Sequence, residues 1–466
     1  MVFSSAIFLG IFLPVVIGLY FLFKNNVWRN MVLLLASLIF YAWGEPKWVF
    51  AMIALTFIDY IGGLIFPRVK NMTVKKLLLA LWVVLNLVML FMFKYLNFFI
   101  DNINAISNTA ISPFPFAMPI GISFFTFQAL TYVIDVYRDR VPPQKNFLYV
   151  LLYISMFPQL IAGPIVRYID IAEQIKNRHE TTQGFINGSF RFAVGLAKKV
   201  VFANYAGAVA TSLMTTQYAT LSASGAWIGL LMYTFQIYFD FSGYSDMAIG
   251  LGKIFGFEFK ENFNYPYIAR SVTDFWRRWH MSLSTFFRDY VYIPLGGNRK
   301  HQYLNILIVW ALTGLWHGAN WNFILWGLYY AVLLVVEKAL SRVEIEFHRI
   351  PIASNVLLLL LVMFGWGIFY YTDLSQVVGF TRSLFGLNPD AIVMSVRELT
   401  SANQVFYLVP FMLIGVTPIP KRIAEKVFKE GFATNGIKTV LCILLIVGCY
   451  ILTMKQSYNP FLYFRF

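Results

Sequence analysis

Long apolar runs follow one another along this chain, and nothing else in it constrains the fold as much. They lie roughly at 2–23, 31–43, 48–66, 77–93, 117–136 and 147–166, then at 188–214, 225–255, 303–336, 355–372, 405–419 and 440–454. A bilayer span takes about 20 apolar residues, so there is room for about ten to twelve spans and short loops. The composition agrees. Of 466 residues, 59% are apolar and only 13% charged, about half the charged share usual in a soluble domain. An ordinary cytosolic enzyme, a disordered chain and a disulfide-stapled secreted domain are all excluded. No intervening segment is large enough for a soluble domain, and no repeat or low-complexity linker is visible. The reading is a single all-α, polytopic membrane domain over residues 1–466.

The net charge is 37 − 22 = +15. The basic residues cluster between apolar runs, so they fit a cytoplasmic face and anionic headgroups rather than nucleic acid. The first run, Val2 to Phe23, has no Lys or Arg before it and Lys24 and Arg29 after it. A cleaved signal peptide has the reverse charge order, so this run is expected to be an uncleaved span with its amino end outside. Arg68, Lys70, Lys75 and Lys76 follow the third run, nothing basic separates Lys94 from Arg138, and Arg138, Arg140 and Lys145 then come together. This alternation matches the positive-inside pattern. The two cysteines, Cys442 and Cys449, are seven residues apart in one apolar run. That spacing is about 10 Å of helical rise, too far for a disulfide. No zinc-type Cys/His spacing is present, so no metal is expected.

Several runs are broken. Pro113, Pro115 and Pro119 precede Gly121, and Pro158, Gly163 and Pro164 interrupt the sixth run. Either these are proline kinks, or they are re-entrant segments whose freed backbone groups face protein or a water-filled space. Gly252 and Gly256 suit close helix packing. The stretch Arg270 to His280 mixes charges with large aromatics and is too polar to span. Ser271 and Asp274 have the spacing of a capping box, and Asp274 and Arg278 form an i, i+4 pair. An interfacial helix is expected, with Phe275, Trp276 and Trp279 turned inward. Arg277, Arg278, Arg288, Arg299 and Lys300 make that side basic. They suit either headgroup anchoring or the landing of a phosphate-bearing acyl carrier.

The stretch Tyr303 to Val336 runs 34 residues without Lys, Arg, Asp or Glu. One helix of that length would reach roughly 50 Å, against a hydrocarbon core of about 30 Å. Two shortened spans meeting at the polar break Leu315-Trp-His-Gly-Ala-Asn-Trp-Asn322 resolve the mismatch. Gly314 and Gly318 permit the bend, and His317 is then recessed. Of the five histidines, His179, His301 and His348 lie in charged, loop-like settings. His280 and His317 lie among aromatics, and a recessed imidazole can both take and give a proton near neutral pH. A second polar cluster, Gln236 to Asp246, places Asp240 and Asp246 in apolar surroundings. These acids need partners, and Arg277 and Arg278 are candidates. Asp59 and Asp135 pose the same question.

Trp276-Arg-Arg-Trp-His280, followed by Arg288-Asp-Tyr-Val-Tyr-Ile-Pro-Leu-Gly-Gly-Asn298, resembles the membrane-bound O-acyltransferases, as does Trp316-His317-Gly318 with Asn320 and Trp321. Phe40-Tyr-Ala-Trp43, Ser123 to Gln128, Phe157 to Pro164 and the terminal Pro460 to Phe466 are similar to the alginate O-acetyltransferase-like branch. The resemblance implies a ring of about 11 transmembrane helices, with re-entrant and interfacial helices, around a tunnel. It implies His317 as the catalytic histidine and His280 as the second, more variable one. It further implies an acyl thioester donor, acetyl-CoA, on the cytoplasmic side of a bacterial inner membrane. The acceptor would be an extracytoplasmic polysaccharide or an exported serine-hydrolase-like (SGNH) partner. Peptidoglycan O-acetylation and D-alanyl transfer to teichoic acid are the neighbouring functions.

On that reading the basic surface of Arg277, Arg278 and Arg288 guides the donor in. His317 deprotonates the acceptor hydroxyl as it attacks the thioester, or itself becomes transiently acylated. Trp316, Asn320, Asn322, Asp240 and Gln236 are expected along the substrate path, with the two asparagines as candidate oxyanion donors. The rival classes are a transporter, which favours internal repeats and paired broken helices, and a non-catalytic membrane scaffold.

Overall fold

A computed structural model describes residues 1–161, 163–216, 221–343, 350–388, 407–429, 431–456 and 461–462. The fold is all-α. Among the described residues, six helices are long and apolar enough to cross a membrane: Trp48–Arg68, Met72–Ser107, Thr182–Thr215, Trp321–Arg342, Pro351–Tyr370 and Phe432–Lys455. Three shorter apolar helices, Phe8–Phe21, Asn26–Ala42 and Ile122–Tyr137, accompany them. The first run is therefore helical over a shorter stretch than its apolar length. The chain turns at Ser5, whose hydroxyl caps the Phe8 N–H at 3.3 Å. The run at 405–419 yields only the short helix Val409–Gly415, because Pro418 and Pro420 stand where it would continue.

The contacts divide the chain into two units. One comprises Met1–Val194, Tyr244–Lys260 and Lys438–Met454. Its core holds the rings of Phe3, Phe8, Phe12, Phe40 and Phe157, with Phe40 and Phe157 5.6 Å apart and Phe12 and Phe157 meeting edge-on at 5.5 Å. Between helices in lipid such rings associate through close van der Waals packing rather than by leaving water. The expected break in the sixth run is present: the helix Phe147–Ser155 stops at Met156 and a single turn, Phe157–Leu160, follows. Acids in apolar surroundings find partners within this unit. Asn86 donates to Asp59 at 2.8 Å, Arg140 stands 3.7 Å from Asp135, and Arg191 pairs with Asp246 at 2.9 Å. Close helix packing falls on Gly188 and Gly250, not on Gly252 and Gly256. A Cβ on Gly250 would meet the Gly188 carbonyl at 2.6 Å, whereas Gly256 lies past the helix end at φ +78°. Cys442 and Cys449 are buried free thiols.

The second unit comprises Gly195–Gly243, Glu261–Ile437 and Lys455–Phe466. Its centre is the hairpin of Gln302–His317 and Trp321–Arg342, which meet at the polar break as expected; only the first, at 16 residues, is shortened, because the second continues past Val336 to 22 residues. A Cβ on Gly314 would stand 2.3 Å from the Phe323 carbonyl, and one on Gly327 2.3 Å from the Trp310 carbonyl. The glycines are needed for this approach. Gly318 has an extended φ of −171° that any residue adopts, so the bend does not require it. The Phe323 ring, 2.2 Å from where its Cβ would be, does.

Candidate active site

His317 is the last residue of its helix, where the hairpin turns, and it is buried. Three aromatic rings meet the imidazole nearly edge-to-face: Trp316 at 4.9 Å, Trp326 at 5.0 Å and Phe369 at 5.1 Å between centroids. The imidazole lines a small cavity in the second unit. Trp279, Trp326, Trp366 and Phe369 form the aromatic wall, and Ile237, Phe241 and Leu462 the remaining apolar one. The aromatics lock one another, with Trp279 and Trp366 4.8 Å apart and Trp326 stacked on Trp366 at 6.2 Å. A charged or reacting group here is surrounded by groups that exclude water.

Asp240 is the acid on this wall. Its partner is Lys199, with Nζ 2.7 Å from Oδ1 and both side chains at most 3% exposed. Its Oδ2 accepts the Leu462 N–H at 2.8 Å. The expectation that Arg277 and Arg278 neutralise Asp240 and Asp246 is thus corrected. Lysine and arginine from inside the 188–214 run, Lys199 and Arg191, hold them instead, and Arg278 is held by Asp274 at 2.8 Å. Lys199 was missed in the sequence, although the Lys198-Lys199 pair inside an apolar run was a signal: a buried cation requires a buried anion. Gln236 is buried one turn before Asp240, outside the cavity wall.

His280 is built differently. Its backbone is left-handed, φ 46° and ψ 53°, between the helices Val272–Arg278 and Met281–Phe287, a conformation that strains a non-glycine residue. Its Nδ1 is 3.1 Å from Asn262 Oδ1. The Ser282 N–H also donates to that atom, at 3.2 Å, which marks it as the amide oxygen. Nδ1 therefore carries the proton. Burial pushes the imidazole down to about 3, so it stays neutral. The ring meets Phe241 edge-on at 4.7 Å and Trp316 at 5.8 Å. Trp316 thus touches both histidines.

The interfacial helix forms as its sequence suggests. Ser271 Oγ accepts the Asp274 N–H at 3.1 Å, and Phe275, Trp276 and Trp279 all face the core, Trp276 lying 4.7 Å from both Trp310 and Tyr330. Sequence reading missed Glu337, which accepts the Val272 N–H at 2.6 Å and the Thr273 N–H at 3.2 Å. A carboxylate there favours the helix N-terminus. Arg277 and Arg288 are exposed, Arg288 beside Asp289 at 2.8 Å, and Arg278 is half-buried. Asn320 is an exposed residue at the start of its helix and does not reach the cavity wall. Asn322 is fully buried, its amide 3.5 Å from the Phe369 carbonyl, behind that wall. His179 and His301 are exposed, as expected of loop residues. His348 lies outside the described residues, as does the terminal motif apart from Phe461 and Leu462. No group of three His, Cys, Asp or Glu converges on a metal-like site among the described residues.

The model of the membrane-bound O-acyltransferase family matches residues 123–374, which include His280, His317 and Asp240. The chain is similar over its full length and theirs to the probable alginate O-acetylases of Azotobacter vinelandii, at 38% identity, and Pseudomonas putida, at 39%. It is also similar to the peptidoglycan O-acetyltransferase of Helicobacter pylori, at 34% identity over all of this chain and 98% of that one. The chain belongs to the membrane-bound O-acyltransferase family and is an O-acyltransferase.

Proposed function

We propose that this chain acetylates an envelope polysaccharide of the alginate type, with His317 as the catalytic base. The carrying observation is the buried imidazole on the wall of an otherwise largely apolar cavity. In the proposed step the acceptor hydroxyl gives its proton to His317 while its oxygen bonds to the thioester carbonyl carbon. The tetrahedral intermediate collapses, the C–S bond breaks, and the leaving thiolate takes the proton back from His317. An ester and a free thiol result, and the base is regenerated. Holding both reactants at one imidazole makes the step effectively intramolecular.

The donor in this reading is acetyl-CoA, guided from the cytoplasmic side by the exposed Arg277 and Arg288. The acceptor is the polymer or an exported serine-hydrolase-like partner. The chain sits as one membrane domain in a bacterial inner membrane, amino terminus outside. The full-length similarity to two alginate O-acetylases supports the choice of polymer. Transfer of labelled acetyl groups in membranes bearing the chain or its His317→Ala variant tests the reading. The variant should fold and lose transfer by about a thousandfold, and normal transfer would remove His317 from the chemistry. Label appearing on peptidoglycan rather than on an alginate-type polymer would reassign the acceptor.

A further inference from the structure

We infer that Leu462 is the side chain that sizes the acyl pocket, and that the Asp240–Lys199 pair exists to hold it there. The inference rests on the cavity being the site of acyl transfer. Leu462 is a buried part of the His317 cavity wall, and it comes from the far end of the chain. Its neighbours on that wall are interlocked aromatic rings carried by packed helices. Leu462 is carried by a backbone N–H held on a carboxylate. A buried carboxylate needs both charge and hydrogen-bond compensation. Asp240 takes the charge from Lys199 at 2.7 Å and a hydrogen bond from Leu462 at 2.8 Å.

A second attachment lies just upstream of this segment. The Gln456 side chain accepts from Asn204 at 2.8 Å and donates to the Val200 carbonyl at 3.2 Å. Lys199, Val200 and Asn204 are on one continuous helix, so both attachments use the same support. The ion pair therefore places an apolar side chain against the cavity at a set depth. Acetyl is the smallest acyl group that carries a carbon tail, and a branched apolar wall at that depth admits it while resisting longer chains. Leu462→Ala removes an isopropyl group's worth of wall, the space that the longer tail of a butyryl group needs.

The test uses cells expressing the full chain, fed butyrate. Alkali-released acetate and butyrate are measured in the envelope fraction, with detergent-extracted protein checked for a monodisperse folded peak. Leu462→Ala should raise the butyrate-to-acetate ratio about tenfold, the discrimination typical of small size differences in an apolar pocket. Leu462→Trp should lower both esters without losing the folded peak. Asp240→Asn should shift the ratio in the same direction as Leu462→Ala but less, an effect that simple loss of stability would not produce. An unchanged ratio in Leu462→Ala, or loss of all transfer in that folded variant, overturns the assignment. His317→Ala run in parallel separates the two ideas. Normal transfer there defeats the functional reading, whereas loss of transfer in His317→Ala beside an unchanged Leu462→Ala ratio defeats only the wall.

Discussion

His280 and His317 share a neighbour, Trp316, yet their surroundings differ in kind. His280 sits on a strained left-handed backbone, its Nδ1 bound to an asparagine that a serine holds in place. His317 ends a regular helix, and its ring meets three aromatic edges and the cavity. The first arrangement fixes one tautomer and suits shaping the wall through Phe241. The second leaves the imidazole on the space where a substrate would be, which a proton carrier requires. Being a buried histidine among aromatics does not distinguish the two. The location of the cavity does.

The comparison can be broken most sharply at the rings themselves. His317→Ala should reduce transfer about a thousandfold, the middle of the range for losing a general base. His280→Asn, assayed in the same membranes, should retain far more activity. Equal losses would erase the distinction. Next in size is the ion pair behind the wall. Lys199→Met strands the Asp240 charge and should cost about 3–5 kcal/mol, read as a lower Tm of the purified chain. Adding Asp240→Leu should restore most of it, because an apolar pair tolerates burial. If the single variant melts like the parent, the pair is not structurally coupled to the fold.

A smaller effect is expected at Glu337. Its replacement by Ala removes the acceptor of two N–H groups at the start of the interfacial helix and should cost about 1 kcal/mol. Amide exchange in Val272 and Thr273 should quicken, and unchanged protection there would show the helix to be held by its aromatics alone. A further effect concerns pH. The folded His280 imidazole is depressed to about 3, while the unfolded one titrates near 6.5. Its contribution is therefore present above about pH 6.5 and is lost as pH falls, because only the unfolded state takes the proton. Between pH 7 and pH 5 the Tm of the parent chain should drop more than that of His280→Asn. Parallel curves would deny the ring its buried, neutral state.

Much of the site is legible in the sequence. An uncharged run too long for one span and short for two, with a polar middle, implied the hairpin and the recessed His317. Ser271, Asp274 and Arg278 implied the interfacial helix, because caps and i, i+4 pairs are local interactions. Partner choice was not legible. Asp240 lies closer in sequence to Arg277 and Arg278 than Leu462 lies to it, yet the carboxylate binds Lys199 and Leu462, and only packing decides which helices bring them there. Asn320 and Asn322 looked equivalent on a polar turn. One became an exposed helix start and the other a buried support behind Phe369, since two positions along a helix point in different directions.

The sequence by itself determined that this chain lives in a membrane, that its elements are helices, and that one stretch must fold back on itself around a histidine. Those outcomes follow from the cost of burying charge and unpaired backbone in lipid, which each segment meets locally. Tertiary structure alone decided which histidine faces a cavity, which cation neutralises Asp240, and that a residue from the end of the chain completes the wall. Those outcomes depend on contacts between distant segments, which no local pattern encodes.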